Sequence, residues 1–228
     1  MDIQLTPCEI RVIACLLEKQ RTTPEHYPLS LNALTSACNQ KSNRDPVLTL
    51  DEVTVQDTVD GLIKKHYVTD RSGFGSRVTK YQHRFCNTEF GTLRFSEQEI
   101  GILCVLMLRG PQTPGELRAR TDRLCSFRDV GEVESVLDQL AQRDDGPFVV
   151  KLPREPGKRE SRFAHLFGDE AELPATAATE TAAVAGPVTE TGRLAQLEHT
   201  LKMLQAEVAE LKARLDEISP EPDGGNVQ

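Results

Sequence analysis

Between Thr6 and Gln20 the chain places Ile10, Ile13, Leu16 and Leu17 at the three- and four-residue spacing of an amphipathic helix. Thr6-x-x-Glu9 precedes that run as a capping box, in which each side chain satisfies an orphan N–H of the helix start. Residues from Gln20 to Pro28 include two prolines and read as a loop. A second helix is predicted over roughly Ser30 to Cys38, turning Leu31, Leu34 and Ala37 inward, and a polar connector runs from Asn39 to Pro46. A third helix, Asp51 to His66, is predicted to start at a second capping box, Thr49-x-x-Glu52, and to bury Val55, Val59, Leu62 and Ile63. A strand begins at Tyr67-Val68, Ser72-Gly73-Phe74-Gly75-Ser76 turns the chain, and Val78 to Phe85 returns as the second strand of a hairpin.

The same order then recurs. Phe95-Ser96-x-x-Glu99-Ile100 matches Leu5-Thr6-x-x-Glu9-Ile10 at an offset of 90, and Thr113-Pro114 matches Thr23-Pro24 at that offset. Val133, Leu137, Asp138 and Leu140 match Val55, Val59, Asp60 and Leu62 at an offset of 78. Gly157, Arg159, Arg162, Phe163 and Phe167 match Gly75, Arg77, Lys80, Tyr81 and Phe85 at an offset of 82. Drifting offsets mean that loops change length while elements persist, the signature of an internal repeat.

Beyond the second repeat the pattern changes twice. Residues 171–192 are rich in Ala, Thr, Glu and Pro without apolar periodicity, which reads as a flexible linker. Leu194, Leu197, Leu201, Leu204, Val208, Leu211, Leu215 and Ile218 then alternate at spacings of three and four, the seam of a heptad coiled coil. With Leu194 at position a, Arg193 faces Glu198 and Glu207 faces Lys212 across a parallel pair, so the chain is expected to associate with itself as a parallel coiled coil. Leucine at most a positions leaves dimer and trimer both open.

The predicted fold class is therefore mainly α with small β-hairpins (α+β). It comprises tandem winged helix-turn-helix domains over 1–91 and 92–168, a linker over 169–192, a coiled-coil helix over 193–219 and a disordered tail over 220–228. Charge sharpens this division. The net charge of −8 resides in residues 169–228, with 12 acidic and 4 basic side chains, whereas each predicted domain is neutral. No uninterrupted apolar run occurs in the first 30 residues, so neither a signal peptide nor a membrane span is expected, and the location implied is cytoplasmic. Six cysteines without Cys-x-x-Cys spacing read as reduced structural thiols.

Candidate chemistry is limited. Five scattered histidines form no nucleophile or metal motif, so a non-enzymatic protein without cofactor or metal is expected. A winged helix most often reads nucleic acid, with its third helix in the major groove and its wing on phosphate. Here the third helices begin with carboxylates: Asp51, Glu52, Asp57 and Asp60 in one, Asp129, Glu132, Glu134 and Asp138 in the other. Acidic first turns also simply complement the helix dipole.

Cations collect on the hairpins instead: Arg71, Arg77, Lys80 and Arg84 on the first, Lys151, Arg154, Lys158, Arg159 and Arg162 on the second, with Lys41 and Arg44 in the connector. These are the candidate phosphate contacts, and DNA the expected partner. The alternatives are solvated hairpins whose charges guard a sheet edge, or a protein-interaction scaffold presenting acidic helices to another protein.

Several motifs carry a family resemblance. Leu16-Leu17-Glu18-Lys19-Gln20, Tyr27-Pro28-Leu29-Ser30, Ala37-Cys38-Asn39-Gln40-Lys41, Arg84-Phe85-Cys86-Asn87, Gln112-Thr113-Pro114-Gly115-Glu116-Leu117-Arg118 and the run Arg154 to Arg162 resemble the bacterial YceH family. The resemblance covers about residues 3 to 168 and the terminal heptads. It implies a tandem winged-helix fold in the bacterial cytoplasm, and brings neither an activity nor assigned functional residues.

Overall fold

Thr6 opens the first helix, α1 (Pro7–Thr22), as its sequence requires: its Oγ1 accepts from the Glu9 N–H at 3.3 Å, and Glu9 Oε2 accepts from the Thr6 N–H at 2.9 Å. The computed structural model describes residues 3–71, 78–89, 91–158 and 160–168, all within a unit spanning 1–179. Arg77, Arg159, the linker expectation and the coiled-coil expectation from Leu194 to Ile218 lie outside the described residues, as does the tail.

After α1 the chain makes a short 3-10 turn, Pro24–His26, then strand β1 (Leu29–Ser30) and helix α2 (Leu31–Cys38), capped by Ser30. The pattern predicts loop over Gln20 to Pro28 and the helix from about Ser30; the 3-10 turn and β1 escape it because two or three residues show no periodicity. Helix α3 (Glu52–Lys64) starts at Asp51, whose Oδ1 accepts from the Thr54 N–H at 2.8 Å, and not at the expected Thr49 box. The cause lies eleven residues upstream. The Asn39 side chain brackets Leu50, accepting from its N–H at 2.8 Å and donating to its carbonyl at 2.7 Å, which fixes the chain one residue before Asp51.

α3 ends with His66 in the left-handed region (φ 63°). The His66 N–H donates to Ile63 and the Tyr67 N–H to Leu62, a Schellman closure. Strands β2 (Val68–Arg71) and β3 (Lys80–His83) follow, and the three strands form an antiparallel sheet in the order β1-β3-β2.

The second repeat rebuilds this order with α4 (Glu97–Arg109), α5 (Pro114–Thr121), α6 (Val130–Gln142) and the hairpin β4 (Val149–Lys151) and β5 (Phe163–His165). A single bridge, Gln112 to Phe163, stands where β1 pairs with β3. That placement corrects one equivalence. Thr113 caps α5, so its structural counterpart is Ser30, which caps α2; Thr23 opens the 3-10 turn that the second repeat omits. The offset of 78 holds well: Val55, Val59 and Leu62 are fully buried, as are Val133, Leu137 and Leu140. Each fully buried aliphatic side chain contributes about 1.5–3 kcal/mol relative to exposure.

α1 and α4 are buried nearly all round, because each faces its own repeat and also the other helix. Counterpart residues meet at that seam. Cys104 Sγ is 3.5 Å from the Ala14 carbonyl oxygen, and the rings of Phe85 and Phe167 are 5.1 Å apart. Residues that touch their own repeat counterparts lie close to a two-fold axis, so the repeats are related by a pseudo-two-fold. It also exchanges two ion pairs that the sequence reading missed. Glu9 binds Lys65 at 2.8 Å and Glu99 binds Arg143 at 3.1 Å, each tying the start of a first helix to the end of a third. Glu9 and Glu99 are at once capping-box acids and bridge acids.

Candidate nucleic-acid interface

The first hairpin aligns Arg71 with Lys80 as direct cross-strand partners. Both are exposed, and among the described residues neither has a carboxylate partner. Like charges placed directly opposite on one sheet face disfavour the hairpin, so nothing in the folding of the strands calls for this pair. Arg84 is exposed just beyond β3, its N–H held by the Tyr67 carbonyl at 2.7 Å, while its guanidinium meets no partner among the described residues. Lys41 is exposed in the connector. These four are exposed cations without a carboxylate partner among the described residues.

Arg44, expected beside Lys41 as a phosphate contact, is a correction. It is 5% exposed and held inside the protein. Nη1 lies 3.0 Å from Glu18 Oε1, Nη2 meets Glu18 Oε2, and Nε donates to the Ala37 carbonyl at 3.2 Å. Glu18 also receives Arg123 from the second repeat. Burial would raise the Glu18 pKa, but the hydrogen bonds and charge of Arg44, then the charge of Arg123, outweigh it and hold the carboxyl below its ordinary range. The Leu16-Leu17-Glu18-Lys19 stretch hid this pair, because Glu18 occupies what a single isolated repeat would show to solvent.

The second hairpin is electrically mixed. Arg162 donates to the Pro111 carbonyl at 2.8 Å and to Glu116 Oε2 at 3.0 Å, so it braces α5 against the hairpin while part of its side chain stays exposed. Lys151 projects over the Phe163 ring at 5.9 Å. With Arg154 it lines a depression shared with Glu134, Asp138 and Glu160. Lys158 lines a cleft of about 620 Å³ that also holds Arg109, Glu155 and Glu160. The two hairpins therefore present different surfaces despite their common topology.

The outward faces of the third helices are acidic, as the sequence indicated. Asp57 and Asp60 on α3, and Glu134 and Asp138 on α6, are all exposed. Val53 stands beside the first pair at 69% exposure. Among the described residues no helix is long and apolar enough to cross a membrane, and no three His, Cys, Asp or Glu side chains gather as a metal site would require.

Comparison with known proteins places the chain among relatives of similar sequence. Residues 5–158 match the family model described as Protein of unknown function, DUF480. The chain is 56% identical over 223 residues to a UPF0502 protein of Photobacterium profundum, covering 96% of this chain and 100% of the relative. It is 66% identical over 177 residues to a UPF0502 protein of Vibrio cholerae, covering 78% and 82% respectively. A UPF0502 protein of Aeromonas hydrophila is 57% identical over 219 residues, covering 96% and 99%.

Proposed function

The chain belongs to the DUF480 family, described as proteins of unknown function, and from that footing we propose that it is a non-enzymatic tandem winged-helix protein that binds DNA in a regulatory or chromosome-associated role. The strand order β1-β3-β2 behind three helices supports winged helix-turn-helix modules, as does its echo in the second repeat. The motif resemblance to YceH-type proteins supports the same reading. One observation carries the choice of partner: Arg71 opposite Lys80, exposed, like-charged and without a carboxylate partner among the described residues. A phosphate between them turns their repulsion into a shared contact. Lys41 and Arg84 extend the set.

Acidic third helices make major-groove reading unfavourable, so contact through the first wing and the connector, largely independent of base sequence, fits best. The heptad seam from Leu194 to Ile218 would bring several wings together, raising avidity through effective concentration.

Fluorescence anisotropy with duplex DNA across a salt series tests this. Wild type binds at low salt. Arg71→Glu with Lys80→Glu weakens binding about ten-fold or more and lowers the salt slope by about 2, roughly one per contact. Absence of binding at low salt, or an unchanged slope in the double variant, overturns the proposal.

The exposed Asp57, Asp60 and Val53 favour a second reading, a scaffold that docks a basic protein partner on α3. Under it, a co-purifying partner is lost in Asp57→Lys with Asp60→Lys while Arg71→Glu leaves it bound.

A further inference from the structure

The pseudo-two-fold exchanges two crevices at the junction of the repeats, and they are unequal. The smaller, about 200 Å³, is lined by Gln20, Gln82, His83, Cys86 and Ile100 among others. There Gln20 Oε1 meets His83 Nε2 at 2.7 Å and occupies the ring's outer nitrogen. Beside it on α4, Gly101 is packed so closely under the Cys125 side chain that a Cβ there would force Sγ of Cys125 to move.

The counterpart crevice is open. It has a volume of about 340 Å³, within the range of small-ligand sites, and Ile10, Leu48, Leu106, Met107, Ala164 and Leu166 supply its apolar wall. Arg11 lines it at the position equivalent to Gly101, and His165 at the position equivalent to His83.

Arg11 is the unusual group. It is 4% exposed, and its head group donates only to two backbone carbonyls, Cys38 at 3.1 Å and Pro46 at 2.8 Å. Among the described residues no carboxylate pairs with it, whereas its neighbour Arg44 has Glu18. A buried cation without a counter-charge is costly unless something else supplies one. Burial pulls its pKa below the ordinary arginine value, the direction expected of an uncompensated charge. His165 Nδ1 accepts from the Phe167 N–H at 3.4 Å, so the neutral ring carries its proton on Nε2, which meets no hydrogen-bond partner among the described residues. Asp45 is the one carboxylate in the lining, and it is exposed.

We propose that this cavity binds a small amphiphilic monocarboxylate, its apolar body against Leu106, Met107 and Leu166 and its carboxylate toward Arg11 and the His165 Nε2–H. The ligand would touch both repeats at once. Through Pro46 and Leu48 it would also touch the connector that leads into α3. This goes beyond the nucleic-acid reading and does not depend on it.

Isothermal titration calorimetry of the full chain with octanoate, and with 1-octanol as its uncharged isostere, tests the proposal. Octanoate is expected to bind once per chain and 1-octanol about ten-fold or more weaker, the equivalent of about 1.4 kcal/mol. Arg11→Met, which keeps the apolar stem and removes the charge, should weaken octanoate by a similar factor and leave 1-octanol unchanged. Ala164→Leu should reduce binding of both by filling the cavity. No octanoate binding in the millimolar range, equal affinity for acid and alcohol, or full octanoate affinity in folded Arg11→Met overturns the proposal. Should Arg11→Met fail to fold, the acid-to-alcohol ratio on wild type decides alone.

Discussion

Phe85 and Phe167 meet edge to face, ring centroids 5.1 Å apart at an interplanar angle of 81°, and each is the other's counterpart 82 positions along the chain. Their contact joins the two repeats into one core, which Phe148 extends by approaching Phe167 at 5.9 Å. A double-mutant cycle with Phe85→Leu and Phe167→Leu should give a coupling of about 0.5–1.5 kcal/mol by urea denaturation. Additive losses would mean that each ring packs only within its own repeat.

Glu18 holds Arg44 and Arg123 from inside the protein. Glu18→Gln keeps the shape and removes the charge, leaving two guanidinium groups uncompensated. Stability should fall by about 3–5 kcal/mol. Arg44→Met with Glu18→Leu, which removes both buried partners, should recover a large part of that loss. Denaturant midpoints for the three proteins check the order.

His83 and His165 are repeat counterparts, and burial brings both pKa values down from 6.5 to about 4. Each stays neutral in the folded chain while the unfolded chain takes up a proton below about pH 6.5. Stability is therefore full above pH 6.5 and declines as pH falls toward 4. For His83 the loss between pH 7 and pH 5 is about 2 kcal/mol. The carboxyl of Glu18, held low, adds a further decline at still lower pH. Urea melts at pH 7, 6 and 5 should show this slope, and His83→Gln should reduce it by about half, leaving the His165 share.

His66 closes α3 at φ 63°, a backbone conformation that residues other than glycine adopt at a cost. His66 is exposed, and its imidazole makes no hydrogen bond among the described residues. His66→Gly should stabilise the protein by about 0.5–1 kcal/mol, read as a raised thermal midpoint.

Relief of the Arg71–Lys80 opposition gives a prediction in which stability and binding move apart. Lys80→Glu replaces a repulsive cross-strand pair with an attractive one and should stabilise by about 0.2–1 kcal/mol. The same change should weaken DNA binding. A variant that loses both, or keeps both, separates hairpin folding from the role given to Lys80.

Helix starts were legible where one cap residue had no local rival. Thr6, Ser30 and Ser96 each accept from an N–H three residues on, and sequence alone places them. Asp51 displaced Thr49 because a residue eleven positions earlier, Asn39, set the chain at Leu50; no local motif carries that information. Arg44 and Arg162 sat in polar stretches and read as surface cations, yet their partners Glu18 and Glu116 lie on helices 26 and 46 residues away. One signal was present and unused. Val12, Ala14 and Cys15 fill the gaps in the α1 stripe, and Ile102 to Leu108 do the same in α4, and a helix apolar all round is a buried one. That alone pointed to the two repeats packing through these helices.

The α1–α4 seam carries a consequence for how the molecule is assembled. A protein with one such module would have to find a second copy of itself to cover this surface, and dilution would strip it bare. Here the mate is encoded downstream on the same polypeptide, so the join persists at any concentration. Freed from serving two identical roles, each half can specialise: one hairpin left positively charged and the other mixed, one crevice narrow and the other wider, with Arg11 in its wall.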